Sequence, residues 1–280
     1  MGEPVVDGGG AGGEYLHGHA EPVLRSHVWR TAENSAGYLL GHLRPTDRVL
    51  DVGCGPGTIT ADLARLVPDG SVLGVDRAHG ILDDARRHGA GIANLEFGPG
   101  DVMDLPFPDD SFDMVHAHQV LQHLPDPVAA LREMARVTRS GGLVAVRDAD
   151  YGAFTWAPGS AGLDLWRSRY RSAARALGAE PDAGRHLLRW CHAAGLGDTT
   201  ATASVWCFAA DADRRWWGGL WADRVEASEL ADRMRAVGAT DEELTSMAAA
   251  WRASAVEPDG WFVVLHGEAI SRVGDRPLRV

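Results

Sequence analysis

The sequence has no lysine: all 27 of its Lys/Arg residues are arginine. That removes Schiff-base chemistry and the phosphate-binding lysine of P-loop enzymes from consideration. Cysteine is scarce. Cys54, Cys191 and Cys207 are far apart and odd in number, so they offer neither a disulfide framework nor a zinc spacing, which fits a cytoplasmic location. No apolar run approaches the roughly 18 residues of a membrane-spanning helix, and no span is expected. Basic charge is also in deficit, with 27 basic against 39 acidic residues for a formal charge of −12. A polyanion needs a basic footprint, so a nucleic-acid partner is not expected either. Residues 1–13 hold two acids, no arginine and the run GGGAGG. Without a basic region or an apolar stretch they read as a flexible tail and not as a signal peptide.

What is present is 280 residues, 45% hydrophobic and 24% charged, enough for one large α/β domain or two small ones. Residues 14–44 read as an N-terminal helical arm, with a helical pattern over 27–43 that Pro45 ends. From Arg48 onward, short apolar runs at 49–52, 72–75, 95–97, 114–117 and 143–146 alternate with amphipathic helices. One helix starts near Gly57 and aligns Ile59, Leu63 and Leu66. Another starts at Asp126-Pro127, an N-cap followed by proline at the first helical position, and aligns Val128, Leu131, Met134 and Val137. Strand–helix alternation of this kind predicts a doubly wound parallel sheet over 45–150. Beyond 150 the pattern loosens into helices at 163–177 and 185–194, a strand at 199–208, a charge-mixed helical stretch at 211–257 and a last strand at 261–266. The stretch 211–257 is expected to be a lid inserted before the last strand of a substrate-side half, 151–280.

The strongest local signal is Val49-Leu50-Asp51-Val52-Gly53-Cys54-Gly55-Pro56-Gly57, a buried strand that turns through glycines into a helix. Glycines there let a ligand approach the backbone, and the helix start favours negative groups. The next strand ends in Asp76, a position from which a carboxylate accepts hydrogen bonds from ribose hydroxyls. A dinucleotide fingerprint requires glycine where this chain has Thr58, and a carboxylate at Asp51 suits a ligand with an amine better than a pyrophosphate.

These residues resemble class I S-adenosylmethionine-dependent methyltransferases of the ubiquinone/menaquinone-biosynthesis type. The likeness is carried by Asp51-x-Gly53-x-Gly55-x-Gly57, by 101–113 (DVMDLPFPDDSFD), by 121–127 (LQHLPDP) and by 139–142 (RSGG). It is strong over about 45–150, moderate over 14–44 and weak from 151 onward. The resemblance implies a Rossmann-like α/β fold with a mostly parallel sheet of seven strands, the last antiparallel. It also implies S-adenosylmethionine as cofactor, leaving as S-adenosylhomocysteine. Gly53, Cys54, Gly55 and Gly57 would cradle its methionine part, with Asp51 near the amine. Asp76 would hold the ribose, Arg77 would flank the adenine, and Asp101 with Val102 would meet the adenine edge. The segment 117–119, including His118, would pass the sulfonium, and Tyr15 and Arg30 of the arm would fold over the cofactor.

Methyl transfer needs alignment, exclusion of water and, for some acceptors, a base. His118, His123 and Asp148 lie beyond the carboxyl ends of predicted strands, where such folds place their chemistry. In relatives, a histidine in the turn after the fourth strand and an aspartate after the fifth serve as base. Gln122 stands here where some relatives have a second histidine. Pairs such as His17-x-His19 and His116-x-His118 have no supporting Cys/His cluster, and no metal is expected. Ten tryptophans are present. Trp216, Trp217 and Trp221, with Tyr151, are the expected walls of an aromatic acceptor pocket; the alternative is that they fill the core of the lid. The expected activity is methylation of a small molecule, an aromatic or indole-like secondary metabolite, at C, N or O, by a monomer or homodimer. A quinone- or sterol-type C-methyltransferase with a lipid-like acceptor is the second reading, and a non-catalytic cofactor-binding module the third.

Overall fold

The structure is a computed structural model that describes residues 29–274. The expected tail 1–13 and residues 14–28 of the expected arm, with Tyr15, His17 and His19, therefore lie outside the described residues. Within them, α1 (Ala32–Leu40) leads into β1 (Arg48–Val52), α2 (Thr58–Leu66), β2 (Ser71–Asp76), α3 (Leu82–His88), β3 (Leu95–Pro99) and β4 (Phe112–His118). Then follow α4 (Pro127–Val137), β5 (Thr138–Ala149), β6 (Thr155–Ala157), α5 (Ala161–Ala176), α6 (Leu187–Ala193) and β7 (Asp198–Phe208). The helices α7 (Asp211–Ala227), α8 (Glu229–Ala236) and α9 (Asp241–Val256) precede β8 (Trp261–Arg272).

Local chemistry sets the helix starts. Asp126 accepts a hydrogen bond from the Ala129 N–H at 2.9 Å, with Pro127 in the first turn of α4. Thr31 and Asn34 close a reciprocal capping box on α1. The sheet runs β3-β2-β1-β4-β5-β8, with β7 on the far side of β8. Strands β1 to β5 pair in parallel, and β8 is antiparallel to both neighbours. The architecture is the expected Rossmann-like one, with β8 the antiparallel last strand. The sheet has eight strands and not seven. The addition is β6, a three-residue strand that continues the line of β5 along β8 and is too short to show a period. The last strand also runs to Arg272, past the apolar run that ends at His266. Glu268 breaks that run in sequence, and the fold buries it against Arg147.

Each face of the sheet has its own core. One lies under α4 and α6 around Leu131, Met134, Val144 and Val146; the other lies under α1 and α2 around Leu39, Leu63, Met114 and Ala145. The stretch expected as a lid forms a helical layer with α5. It packs a third core beside Phe208, at the end of β7, and Phe262, at the start of β8. Among the described residues no helix is long and apolar enough to cross a membrane.

Candidate active site

A cavity of about 250 Å³ opens at the carboxyl ends of β1, β2 and β4. Its first wall is the β1–α2 turn. Gly53, Gly55 and Gly57 have φ of 67°, 53° and 78°, the left-handed region that a Cβ disfavours. A Cβ on Gly53 would fall on the Val120 side chain, and one on Gly57 would come within 2.7 Å of the Phe97 ring. Gly57 is the N-cap of α2 and has no side chain to cap it, and the helix start lies at the cavity end. Gly53, Cys54 and Gly55 line the cavity; Gly57 shapes the turn without lining it. Burial pushes the Cys54 thiol far above its ordinary pKa, so it is an inert neighbour and not a nucleophile.

Asp76 anchors this turn from the end of β2. Its Oδ2 accepts from the Gly55 N–H and its Oδ1 from the Ala78 N–H, both at 2.9 Å. Arg77, Asp101 and Val102 complete this end of the cavity, and Asp101 Oδ1 accepts from the Met103 N–H at 2.9 Å. Asp51 lines the cavity too, but its carboxylate already has partners. One oxygen lies 2.8 Å from His116 Nδ1 and the other accepts from the Thr60 hydroxyl at 2.6 Å. His116 is thereby a brace for Asp51 beneath the turn.

The opposite end is formed by Arg30, His118, Gln119 and His123. Gln119 has φ of 55°, a strained conformation for a residue with a Cβ and a recurrent mark of functional positions. Its Oε1 accepts from Arg30 Nη2 at 2.7 Å and its Nε2 lies 2.8 Å from His266 Nε2. Burial, with Arg147 and Arg30 adding to it, holds the His118 imidazole far below its ordinary pKa. Burial and then Arg30 pull His123 down to about 3. Both rings are therefore neutral near pH 7, and His123 is too weak a base to take a proton efficiently there.

Asp148 does not face the cavity. It is fully buried behind the 121–123 turn, where Oδ1 accepts from the Gln122 N–H at 3.1 Å. Burial pushes its carboxyl up to about 7 against the opposing pull of those backbone bonds and of Arg147. The expected His123–Asp148 base pair is thus split by the turn that Asp148 supports. The aromatic wall also moves. Tyr151 stacks on Tyr170 at 3.9 Å, Trp217 stacks on Phe208 at 4.3 Å, and Trp221 meets Trp166 edge-on at 4.7 Å. Trp216 is half-buried beside Trp29 and Phe208. All four belong to the helical layer's core or its edge and none lines the cavity, so packing and not recognition explains them.

Behind this end runs a row of polar residues of which sequence reasoning singled out only His118. His118, Arg147, Glu268 and Thr202 are register partners across β4, β5, β8 and β7, which puts them on one face of the sheet. Arg147 and Glu268 are only 1% and 5% exposed and pair at 3.2 Å. Burial pulls the Arg147 guanidinium down to about 10, partly offset by Glu268, which leaves it a cation. Trp206 lies over this row, its ring centre 5.1 Å from the Arg147 Cζ, and its Nε1 donates to the Asn34 carbonyl at 2.6 Å. The available signal was an arginine, a histidine and a glutamate interrupting apolar strands, which buried strands tolerate only when the groups pair.

Comparison with known proteins agrees with this geometry. The methyltransferase-domain family matches residues 43–195. An uncharacterised methyltransferase of Schizosaccharomyces pombe is 38% identical over 269 residues, covering 91% of this chain and 95% of that one. A demethylmenaquinone methyltransferase of Symbiobacterium thermophilum is 40% identical over 107 residues, 36% of this chain and 42% of that protein. The phosphoethanolamine N-methyltransferase 2 of Haemonchus contortus, solved with S-adenosylmethionine, superposes with a TM-score of 0.52 at 18% identity, over 83% of this chain and 50% of that one. Family match, near full-length likeness and fold together place the chain in the class I S-adenosylmethionine-dependent methyltransferases.

Proposed function

We propose that this methyltransferase acts on a small-molecule acceptor, such as an aromatic or indole-like secondary metabolite, at a C, N or O atom. One observation carries the reading: a single cavity joins the glycine turn and acidic groups at one end to Arg30, His118, Gln119 and His123 at the other. The first end fits the methyl donor. The glycine turn brings backbone rather than side chains to the cavity wall at Gly53 and Gly55, and Asp76 and Asp101 present carboxylates to hydroxyl and amino groups. S-adenosylmethionine, when bound, supplies a methyl group on a sulfonium that reacts without metal or redox help. In this reading Gly53 to Gly55 receive the amino-acid part, Asp76 the ribose, and Arg77, Asp101 and Val102 the base. The other end orients the acceptor, and the tertiary layer beneath it excludes water.

With His123 and Asp148 unsuited as a neutral-pH base pair, alignment carries the reaction. Asp148 acts as a positioning residue through the 121–123 turn. The net charge of −12 favours a small acceptor over a polyanion. The partial likeness to a demethylmenaquinone methyltransferase favours, as second reading, a quinone-like lipid acceptor. Calorimetric titration with S-adenosylhomocysteine against NAD tests the donor, and binding of NAD alone would sink the reading. Product identification after incubation with isotope-labelled S-adenosylmethionine and acceptor panels, aromatic and quinone, separates the two acceptor classes.

A further inference from the structure

The two edges of the sheet are built differently. At one end β3 is five residues long and carries Glu96 and Pro99, and charge, proline and shortness all blunt an edge strand. At the other end β7 runs eleven residues and pairs only with β8, with no shift of register from Asp198 opposite Arg272 to Phe208 opposite Phe262. Among the described residues no backbone group pairs with its outer side. Seven of its eleven residues are exposed, so that side is open over most of its length. From Thr199 to Phe208 (TTATASVWCF) there is no charge, proline, glycine or bulge, in a chain of net charge −12. Val205 is 52% exposed, and Trp261, on the same face further along β8, is 40% exposed. An edge this long, neutral and regular is a template for another strand.

What the strand carries selects its partner. A partner recognised by charge has nothing to meet between Thr199 and Phe208, whereas a second copy of the strand meets only neutral side chains there. Two copies of one edge related by a two-fold axis pair antiparallel. Centred on Ala203, the middle of β7, this pairing sets Ala201 opposite the partner's Val205, Thr202 opposite the partner's Ser204 and Thr199 opposite the partner's Cys207. The protruding valine then meets a small residue. The Asp198 carboxylates of the two copies stand ten residues apart, about 33 Å at about 3.3 Å per residue, so the strand's own charges do not face each other. That length also spans the patch of roughly 800 Å² that each partner of a stable dimer contributes. The chain beyond the described residues is a poorer occupant. Residues 1–28 hold seven glycines and two prolines, with no more than six consecutive residues free of both, and 275–280 are six residues with Pro277 among them. We propose that β7 is a homodimer interface, at which antiparallel β7–β7 pairing centred on Ala203 joins the sheets of two copies into one.

Sedimentation equilibrium of the full chain tests this. A dimer should dominate at about 100 µM, because interfaces of standard size bind at micromolar affinity or tighter. Ala203→Lys and Ala203→Glu each set like charges against one another on the axis and should weaken the dimer about tenfold or more. An equimolar mixture of the two variants should regain it as a heterodimer, a rescue that damage to the fold would not give. Ala203 is exposed and does not line the cavity, so both variants should bind S-adenosylhomocysteine as the parent does. Hydrogen exchange of the parent should show the amides of 199–205 gaining protection as protein concentration rises. A parent that is monomeric at that concentration, a dimer indifferent to both charges, or a mixture that stays monomeric overturns the proposal. So does protection of 199–205 that is independent of concentration, which would put a segment of the same chain on the edge. If both variants fail to fold, the mass and the concentration-dependent exchange of the parent decide.

Discussion

Asp76→Ala tests the donor end most directly. In the protein alone, the carboxylate accepts from two backbone N–H groups, Gly55 and Ala78. It thereby fixes the turn whose glycines form the cradle. In the proposed complex the same carboxylate also accepts from the ribose hydroxyls. Hydrogen bonds to a charged acceptor contribute about 1.5–3 kcal/mol. Loss of the ribose contact alone should weaken S-adenosylhomocysteine binding about 10- to 150-fold. Water can replace part of the lost acceptor at this half-buried site, so stability should fall by only about 1 kcal/mol. Asp76→Asn retains one acceptor oxygen and should fall between the two. Calorimetry gives the affinity and a thermal melt gives the stability. The reasoning fails if the alanine variant melts lower yet binds S-adenosylhomocysteine within about twofold of the parent, because the carboxylate would then be a turn brace only.

Three further outcomes are expected. Folded Asp148 keeps its proton up to about pH 7, whereas an unfolded carboxyl releases it near 3.8. The stability it contributes is thus present at low pH and lost as pH rises through about 7. Folded His123 titrates at about 3 against 6.5 when unfolded, so its contribution has the opposite sign and is lost as pH falls. Asp148→Asn should remove only the first effect and gain stability relative to the parent at high pH; urea midpoints from pH 4.5 to 8 that run parallel for the two proteins would refute this. His123→Ala should lower kcat by less than about tenfold and leave the pH–rate profile without a lost limb near 6.5, and a drop of 10² or more would restore the ring as a base. Trp166 is fully buried between Trp221 and Trp251. Trp166→Ala should cost about 3–5 kcal/mol by chemical denaturation, with S-adenosylhomocysteine affinity unchanged, and a variant as stable as the parent would contradict the core assigned to the helical layer.

The fold class and the donor end of the site were legible in the sequence because both are local. Apolar runs of strand length, capped helices and a glycine turn after β1 are set by neighbours within a few residues, and Asp76 follows from where β2 stops. At the β4 end Arg30, His118 and His123 were legible, but what lies behind them was not. Arg147, Glu268, His266 and Trp206 come from three different strands and mean nothing until the register of β8 between β5 and β7 sets them on one face of the sheet. The same holds for Asp148, whose place just past the apolar run 143–146 suggested chemistry; β5 extends through it to Ala149, and the 121–123 turn closes over it. Periodicity identifies that Trp217 and Trp221 share a helix, but only the packing of α7 against α5 and α9 decided that they fill a core. Pattern reports which face of an element is apolar. Burial, pairing and the field of two arginines are properties of what lies across from that face, and tertiary structure alone supplies it.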